Sequence, residues 1–222
     1  MNMVRSFRCY QLLYPQSRMQ MECTLLREEK RLFVFCNGEI KRLPICYVYK
    51  EKKMDVFDCI ITRRSVRSYG KKRISQDCIR DILYSAIYTP SGKNGQPWKF
   101  QIVSDNAVIK NLAERSIYNK WMADAEYVIV VFLDTTKSYN WMKDVQSCGA
   151  AIQNMLLTAC SLEVGSCWIG EVVDYAQDVK SILGVSSKDL ELMGMVTLGS
   201  TERGSITRDK AMCTKCVEDF LI

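Results

Sequence analysis

The segment "YVIVVFL", residues 127–133, places seven apolar side chains in a row. A strand that is apolar on both faces is stable only where both faces are covered. The run therefore predicts an interior strand of a sheet packed between two layers. It is also the longest apolar run in the chain. It falls far short of the roughly 20 residues that cross a bilayer, so no membrane span and no membrane partner are expected.

A second segment restricts the fold further. "CGAAIQNMLLTACSL", residues 148–162, is apolar almost all round and continues a helical pattern that begins near Tyr139. Such a helix is buried in a core or in a subunit interface. Gly165 follows as its expected C-terminal stop. Upstream, Ser75 reads as an N-cap with Asp77 in the first turn, and Ile79, Ile82, Leu83, Ala86 and Ile87 recur at helical spacing until Thr89-Pro90. "WKFQIVS" alternates like a half-buried strand, 106–119 reads as an amphipathic helix, "SCWIG" as a short strand, 175–184 as a short helix and "ELMGMVTLG" as a last strand. Helices and strands mix without a strict βαβ repeat. The expectation is α+β, with a small central mixed or antiparallel sheet flanked by helices and one long buried helix.

Residues 1–53 differ in character. "RLFVFCNGEIKRLPICYVYK" suggests two short strands around an Asn37-Gly38 turn, among charged clusters. Met54 opens steadier periodicity, so 1–53 is read as an N-terminal extension and 54–222 as the functional domain.

Absences narrow the chemistry. The chain has no histidine, which removes Ser-His-Asp and Cys-His catalysis, HExxH peptidases and histidine-ligated metals. GxGxxG is missing, and Gly165 to Gly170 is followed by Glu-Val rather than Lys-Ser/Thr. An enzyme with this composition needs a cofactor that brings its own chemistry. Eleven scattered cysteines without a cleavable leader read as reduced thiols of a cytoplasmic protein. Cys213 and Cys216 have no second pair to complete a zinc site, so no metal is expected. The formal charge of +6 is concentrated before residue 75. It lacks the interleaved aromatics or repeated basic helix face of a nucleic-acid reader, so no nucleic acid is expected.

Three segments offer chemistry. "RRSVR", residues 63–67, holds three guanidiniums and a hydroxyl, suited to a phosphate monoester, although such pentapeptides are usually solvated surface. "TPSGKNGQPWKF", 89–100, carries two of the four prolines, with Gly92 and Gly95 exposing backbone and Asn94 and Gln96 offering amides. It reads equally as a wall for a flat heterocycle or as a tight turn with Trp98 capping the core. "GSCWIGEV" by itself is a core strand, and Arg208 a surface arginine.

In this order, "RRSVRSY", "TPSGKNGQPWKF", "GAAIQNMLLTACSLEVGSCWIGEV", "MVTLGSTERG" and the late arginine resemble the nitroreductase family of flavin enzymes. The resemblance runs from about Met54 to Arg208 and leaves 1–53 without a counterpart. It implies a homodimer with two FMN molecules at the subunit interface. Arg63 and Ser65 would hold the phosphate, with Arg64 contributing backbone, and Arg67 would lie near the flavin pyrimidine, where a positive charge stabilises the anionic reduced ring. Pro90, Ser91, Gly92 and Asn94 would come from the partner subunit. The backbone at Ile169 and Gly170 would face the other side of the ring, and Arg208 would return to the phosphate.

The implied activity is ping-pong transfer of hydride from NADH or NADPH through the flavin to a nitroaromatic, quinone or similar small acceptor, with no catalytic side chain. A reductive dehalogenase, a flavin-destroying enzyme and a non-catalytic flavin-binding module are the alternatives. The stretch from 105 to 125 is short for the family's segment over the substrate pocket, which leaves the acceptor open.

Overall fold

The computed structural model describes residues 54–201 throughout and, within 1–53, the backbone of four strands. The chain divides into two compact units, 1–53 and 54–222. In the first, β1 (Phe7–Cys9), β2 (Met21–Glu28), β3 (Arg31–Cys36) and β4 (Glu39–Arg42) form an antiparallel sheet in chain order. β3 and β4 pair on either side of the Asn37-Gly38 signal, with Cys36 opposite Glu39.

The second unit is built on a four-stranded sheet of β5 (Trp98–Val103), β6 (Tyr127–Asp134), β7 (Val164–Ile169) and β8 (Leu190–Ser200), in the order β5-β6-β8-β7. Every pair is antiparallel, the simpler of the two expected arrangements. β6 lies inside the sheet and all eight of its residues are buried, as its apolar run requires. Its side chains alternate between two cores. Tyr127, Ile129, Val131 and Leu133 meet α2 (Gln76–Ile87) and α5 (Trp141–Ser161). Val128, Val130 and Phe132 meet α3 (Asn106–Ala113), α4 (Asn119–Met122) and α6 (Ala176–Ile182). A short α1 (Val56–Thr62) precedes them.

Strict alternation would send Leu192 and Met195 of β8 to opposite faces, yet both lie in the second core. A bulge where β6 passes from Val131 to Phe132 resets the register, and Gly194, at φ 145°, supplies the backbone angle it needs.

Three local readings change. Helix α3 ends at Ala113 rather than near 119, because Ser116 Oγ and Ile117 N donate to the Glu171 carboxylate and draw the chain off the helical path. Gly165 does not stop α5. Glu163 takes the left-handed angle, φ 57°, and Gly165 lies in β7, where a Cβ would overlap the Thr201 methyl. β5 does not keep one buried face: Trp98 and Val103 are buried at its two ends while Ile102 is exposed, since an edge strand meets one core at each end.

Candidate functional site

The segment 63–70 leaves α1 and lies along the sheet. The Arg63 N–H closes α1 on Cys59 O at 2.9 Å. Val66 N then donates to Ser166 O of β7 at 2.9 Å, and Gly70 N to Ser200 O of β8 at 2.8 Å. Tyr69 anchors the run: its hydroxyl lies 2.6 Å from Thr197 Oγ1 and donates to Val66 O at 3.2 Å. Its ring covers Gly199, where any Cβ would overlap it, and tilts against Trp121 at 6.4 Å. Burial drives the Tyr69 phenol well above its ordinary range, with the Thr197 hydrogen bond and then Arg67 opposing. It remains a neutral structural group.

This path brings Arg63, Ser65 and Arg67 to one place, the buried thiol of Cys167 in β7. Burial pushes that thiol up, while the Arg67 guanidinium, a hydrogen bond from Ser65 and the Arg63 guanidinium act in the opposite direction. Arg63 and Ser65 offer a planar cationic fork and a short hydroxyl donor, a set suited to a phosphate monoester, and Arg67 adds a second guanidinium near the same strand. Arg64 is half-buried between them. Nearby, the buried Ser200 Oγ, beside Gly70, has no hydrogen-bond partner among the described residues.

Further along β7, the Ile169 side chain is sunk in the second core, so only its backbone faces outward. Gly170, exposed, leads into a 3-10 turn over Glu171–Tyr175. Arg63, Ser65 and Arg67 thus lie beside β7, the strand that carries Ile169 and leads to Gly170, within one chain.

The loop after α2 is held at its root by α5: Asn154 Nδ2 donates to Ser85 O at 3.1 Å and to Thr89 Oγ1 at 2.8 Å. Asn94 N donates to Ser91 O at 3.0 Å and Gln96 N to Ser91 Oγ at 3.0 Å. The left-handed angles fall on Lys93, Asn94 and Gln96, at φ 52°, 54° and 47°, and not on the glycines. Gly92 serves a close approach instead, since a Cβ there would overlap the Tyr139 ring. Lys93 Nζ lies 4.8 Å, and Lys143 Nζ 5.4 Å, from the centroid of that ring.

Within one chain the two groups do not meet. The loop packs at the N-terminal end of α5 through Tyr139, whereas α1 touches its C-terminal end, with Thr62 Oγ1 3.9 Å from Cys160 Sγ. The intervening 21-residue helix is about 30 Å long. The tip of the loop at Gly92 is therefore remote from Arg63 of the same chain, whereas its root at Thr89 is tied to Asn154, two thirds of the way along α5. Arg208, Cys213 and Cys216 lie outside the described residues.

Among the described residues no three acidic, cysteine or histidine side chains gather as a metal site. Among the described residues no helix is long and apolar enough to cross a membrane. Sequence reasoning missed Cys167, Tyr69 and Tyr139. The first was hidden in a core strand, and the other two announce themselves only through the glycines they lie against.

A family model described as Nitroreductase family matches residues 60–118 and 111–200. The chain is 35% identical over 143 residues, 63% of its length and 82% of the relative's, to a protein of Archaeoglobus fulgidus named "Putative NADH dehydrogenase/NAD(P)H nitroreductase". It is 29% identical over 119 residues, 42% of its length and 52% of the relative's, to an iodotyrosine deiodinase of Haliscomenobacter hydrossis. Among solved structures, one from Desulfovibrio desulfuricans, described as a "putative nitroreductase in complex with fmn", aligns with a TM-score of 0.68 at 32% identity. It covers 77% of this chain and 97% of that one.

Proposed function

Because this chain belongs to the nitroreductase family, we propose that it is an FMN-dependent oxidoreductase. It takes hydride from NADH or NADPH and delivers it to a nitroaromatic, quinone or similar small acceptor. The observation that carries this reading is the placement of Arg63, Ser65 and Arg67 around Cys167 of β7, the strand that ends at Ile169 before Gly170. The donor set suits the FMN phosphate: guanidinium forks match its oxygens, and Ser65 supplies a short donor beside them. Bound FMN would supply the two-electron carrier that passes hydride between the two substrates.

The chain's own residues then do three things. Arg63, with Arg64, Ser65 and Arg208, binds the phosphate. Arg67 places positive charge near the pyrimidine edge of the ring. Ile169 and Gly170 present backbone without side-chain bulk to one ring face, leaving the opposite face for nicotinamide and acceptor in turn, which supports a ping-pong order.

The close approach of Gly92 to Tyr139 puts the loop's tip at the end of α5 away from α1, which supports a reading in which Pro90, Ser91, Gly92 and Asn94 reach a flavin from a second copy and the active species is a homodimer. Exposed apolar residues support a partner surface: Val56, Phe57, Ile60 and Ile61 on α1, and Trp141 and Met142 on α5. We place the reaction in the cytoplasm, consistent with five free cysteines among the described residues. Reductive dehalogenation is a second reading, supported by the similarity to an iodotyrosine deiodinase.

Purified protein tests the proposal. A yellow solution absorbing near ~450 nm that NADH or NADPH bleaches without oxygen is the expected result. Protein that cannot be reconstituted with FMN defeats it, and yellow protein that neither nicotinamide bleaches points to a flavin-binding module.

A further inference from the structure

We propose that Lys93 and Lys143, set over the ring of Tyr139, form an anion-selecting rim of the active site, and that the acceptor class it favours is an aromatic carboxylate. The inference rests on the proposed function, which puts the Pro90–Asn94 loop beside the flavin. It adds the charge of the molecule that loop admits.

The two ammoniums lie 4.8 and 5.4 Å from one ring centroid. They come from different elements, Lys93 from the loop and Lys143 from the first turn of α5. Bringing two like charges to one ring costs energy unless an anion sits between them or water screens them. Neither lysine has a carboxylate within ion-pair distance among the described residues, where the ion pairs are Arg73–Glu126, Arg80–Asp77 and Arg115–Asp178.

The nearby acids are occupied. Asp144, 1% exposed, accepts from Ser138 Oγ, Tyr139 N and Asn140 N with one carboxylate oxygen. Glu191 accepts from Trp141 Nε1 at 2.8 Å. Asn140 caps α5 through Lys143 N, and the positive end of that helix adds to the field of the two lysines.

The rim is also built to a shape. Lys93 adopts a left-handed backbone angle that lysine seldom takes, and Gly92 has no side chain to separate the loop from Tyr139. Tyr139 itself is 42% exposed. A tyrosine ring with two ammoniums close to it suits a flat ring bearing its own negative charge, whereas a neutral nitroaromatic gains from the ring alone.

The test titrates FMN-loaded protein at low ionic strength with benzoate, 4-nitrobenzoate and methyl 4-nitrobenzoate, followed by the protein's own tyrosine and tryptophan fluorescence, which needs no turnover. The expected result is tighter binding of 4-nitrobenzoate than of its methyl ester by roughly five- to tenfold, a preference that salt erodes. It falls to near parity in the Lys93→Met/Lys143→Met double variant and survives in Lys93→Arg/Lys143→Arg. Where both compounds are reduced, the ratio of their kcat/KM values follows the same pattern, and any general effect of the substitutions cancels in that ratio. Equal binding of acid and ester by the natural protein, or an unchanged preference in the methionine double variant, overturns the inference. Bleaching by NADH or NADPH without an acceptor reports on the proposed activity alone, so the two failures are distinguishable.

Discussion

The Tyr69 hydroxyl lies 2.6 Å from Thr197 Oγ1, a side-chain contact that joins two backbone hydrogen bonds in holding the 63–70 segment to the sheet. Thr197 is fully buried, and its hydroxyl also lies 3.3 Å from Cys167 O, so this pair links the arginine-bearing segment to the strand beneath it. Tyr69→Phe removes the hydroxyl with little change of shape. It is expected to lower unfolding free energy by about 1 kcal/mol and to weaken FMN binding. Gly199→Ala, which drives a methyl into the Tyr69 ring, is expected to do more of both. Urea denaturation and flavin titration measure the two effects, and a Tyr69→Phe protein with unaltered FMN affinity shows that the anchor does not serve the site.

Arg63→Ala removes one charge-assisted phosphate contact from the proposed site. FMN affinity is expected to fall by roughly 1.5–3 kcal/mol, about one to two decades. Far-ultraviolet circular dichroism is expected to be unchanged, because α1 is closed by the backbone of Arg63 and not by its side chain. An unchanged dissociation constant places the phosphate elsewhere.

Asn94 joins a side-chain amide to a left-handed backbone angle, φ 54°. The two contributions separate by substitution. Asn94→Gly removes the amide and keeps the angle at ease, whereas Asn94→Ala removes the amide and adds about 1 kcal/mol of strain. Both variants are expected to shift the flavin spectrum or potential, and only the alanine variant to melt earlier. Two spectra identical to that of the natural protein remove Asn94 from the ring.

Buried thiols set the alkaline limit. Burial, followed by the neighbouring Cys160, raises Cys59 from 9.0 to about 11, and burial, followed by the Asp144 carboxylate, raises Cys148 from 9.0 to about 12. The folded protein keeps protons that the unfolded chain releases above 9.0, so their stabilising effect is complete below that pH. It is lost as pH climbs through 9 toward 11 and 12. Unfolding free energy is expected to fall over that window by roughly 1 kcal/mol per pH unit for each thiol. Denaturant titrations at pH 8, 9, 10 and 11 check this, and Cys148→Ala is expected to flatten the slope; a profile flat in the natural protein contradicts it.

Periodicity made the buried elements legible. Residues 127–133 had to be an inner strand, and Ser75 caps α2 through Cys78 N as its sequence context requires. Contacts between distant segments were not legible. Glu171 ends α3 from 55 positions away through Ser116, and nothing in the local pattern of 106–119 announces it. Gly165 read as a helix stop, Gly92 as a turn residue and Gly199 as the end of a strand, yet each marks where another side chain needs room. Arg63, Ser65 and Arg67 could be grouped by spacing, but their focus on Cys167 depends on a strand about 100 residues later. The loop's remoteness follows from the length of α5, which was visible, combined with which end each group touches, which was not.

That remoteness bears on heredity. If every flavin rests on the arginines of one copy and the loop of another, two defective chains can compensate for each other. A dimer assembled from an Arg63→Ala chain and an Asn94→Ala chain has one site carrying both lesions and one carrying neither. Co-expressing the two alleles is expected to restore about half of the flavin and turnover per mixed dimer, although either allele alone is deficient. For a protein of this design, the unit on which selection acts is the pair of copies.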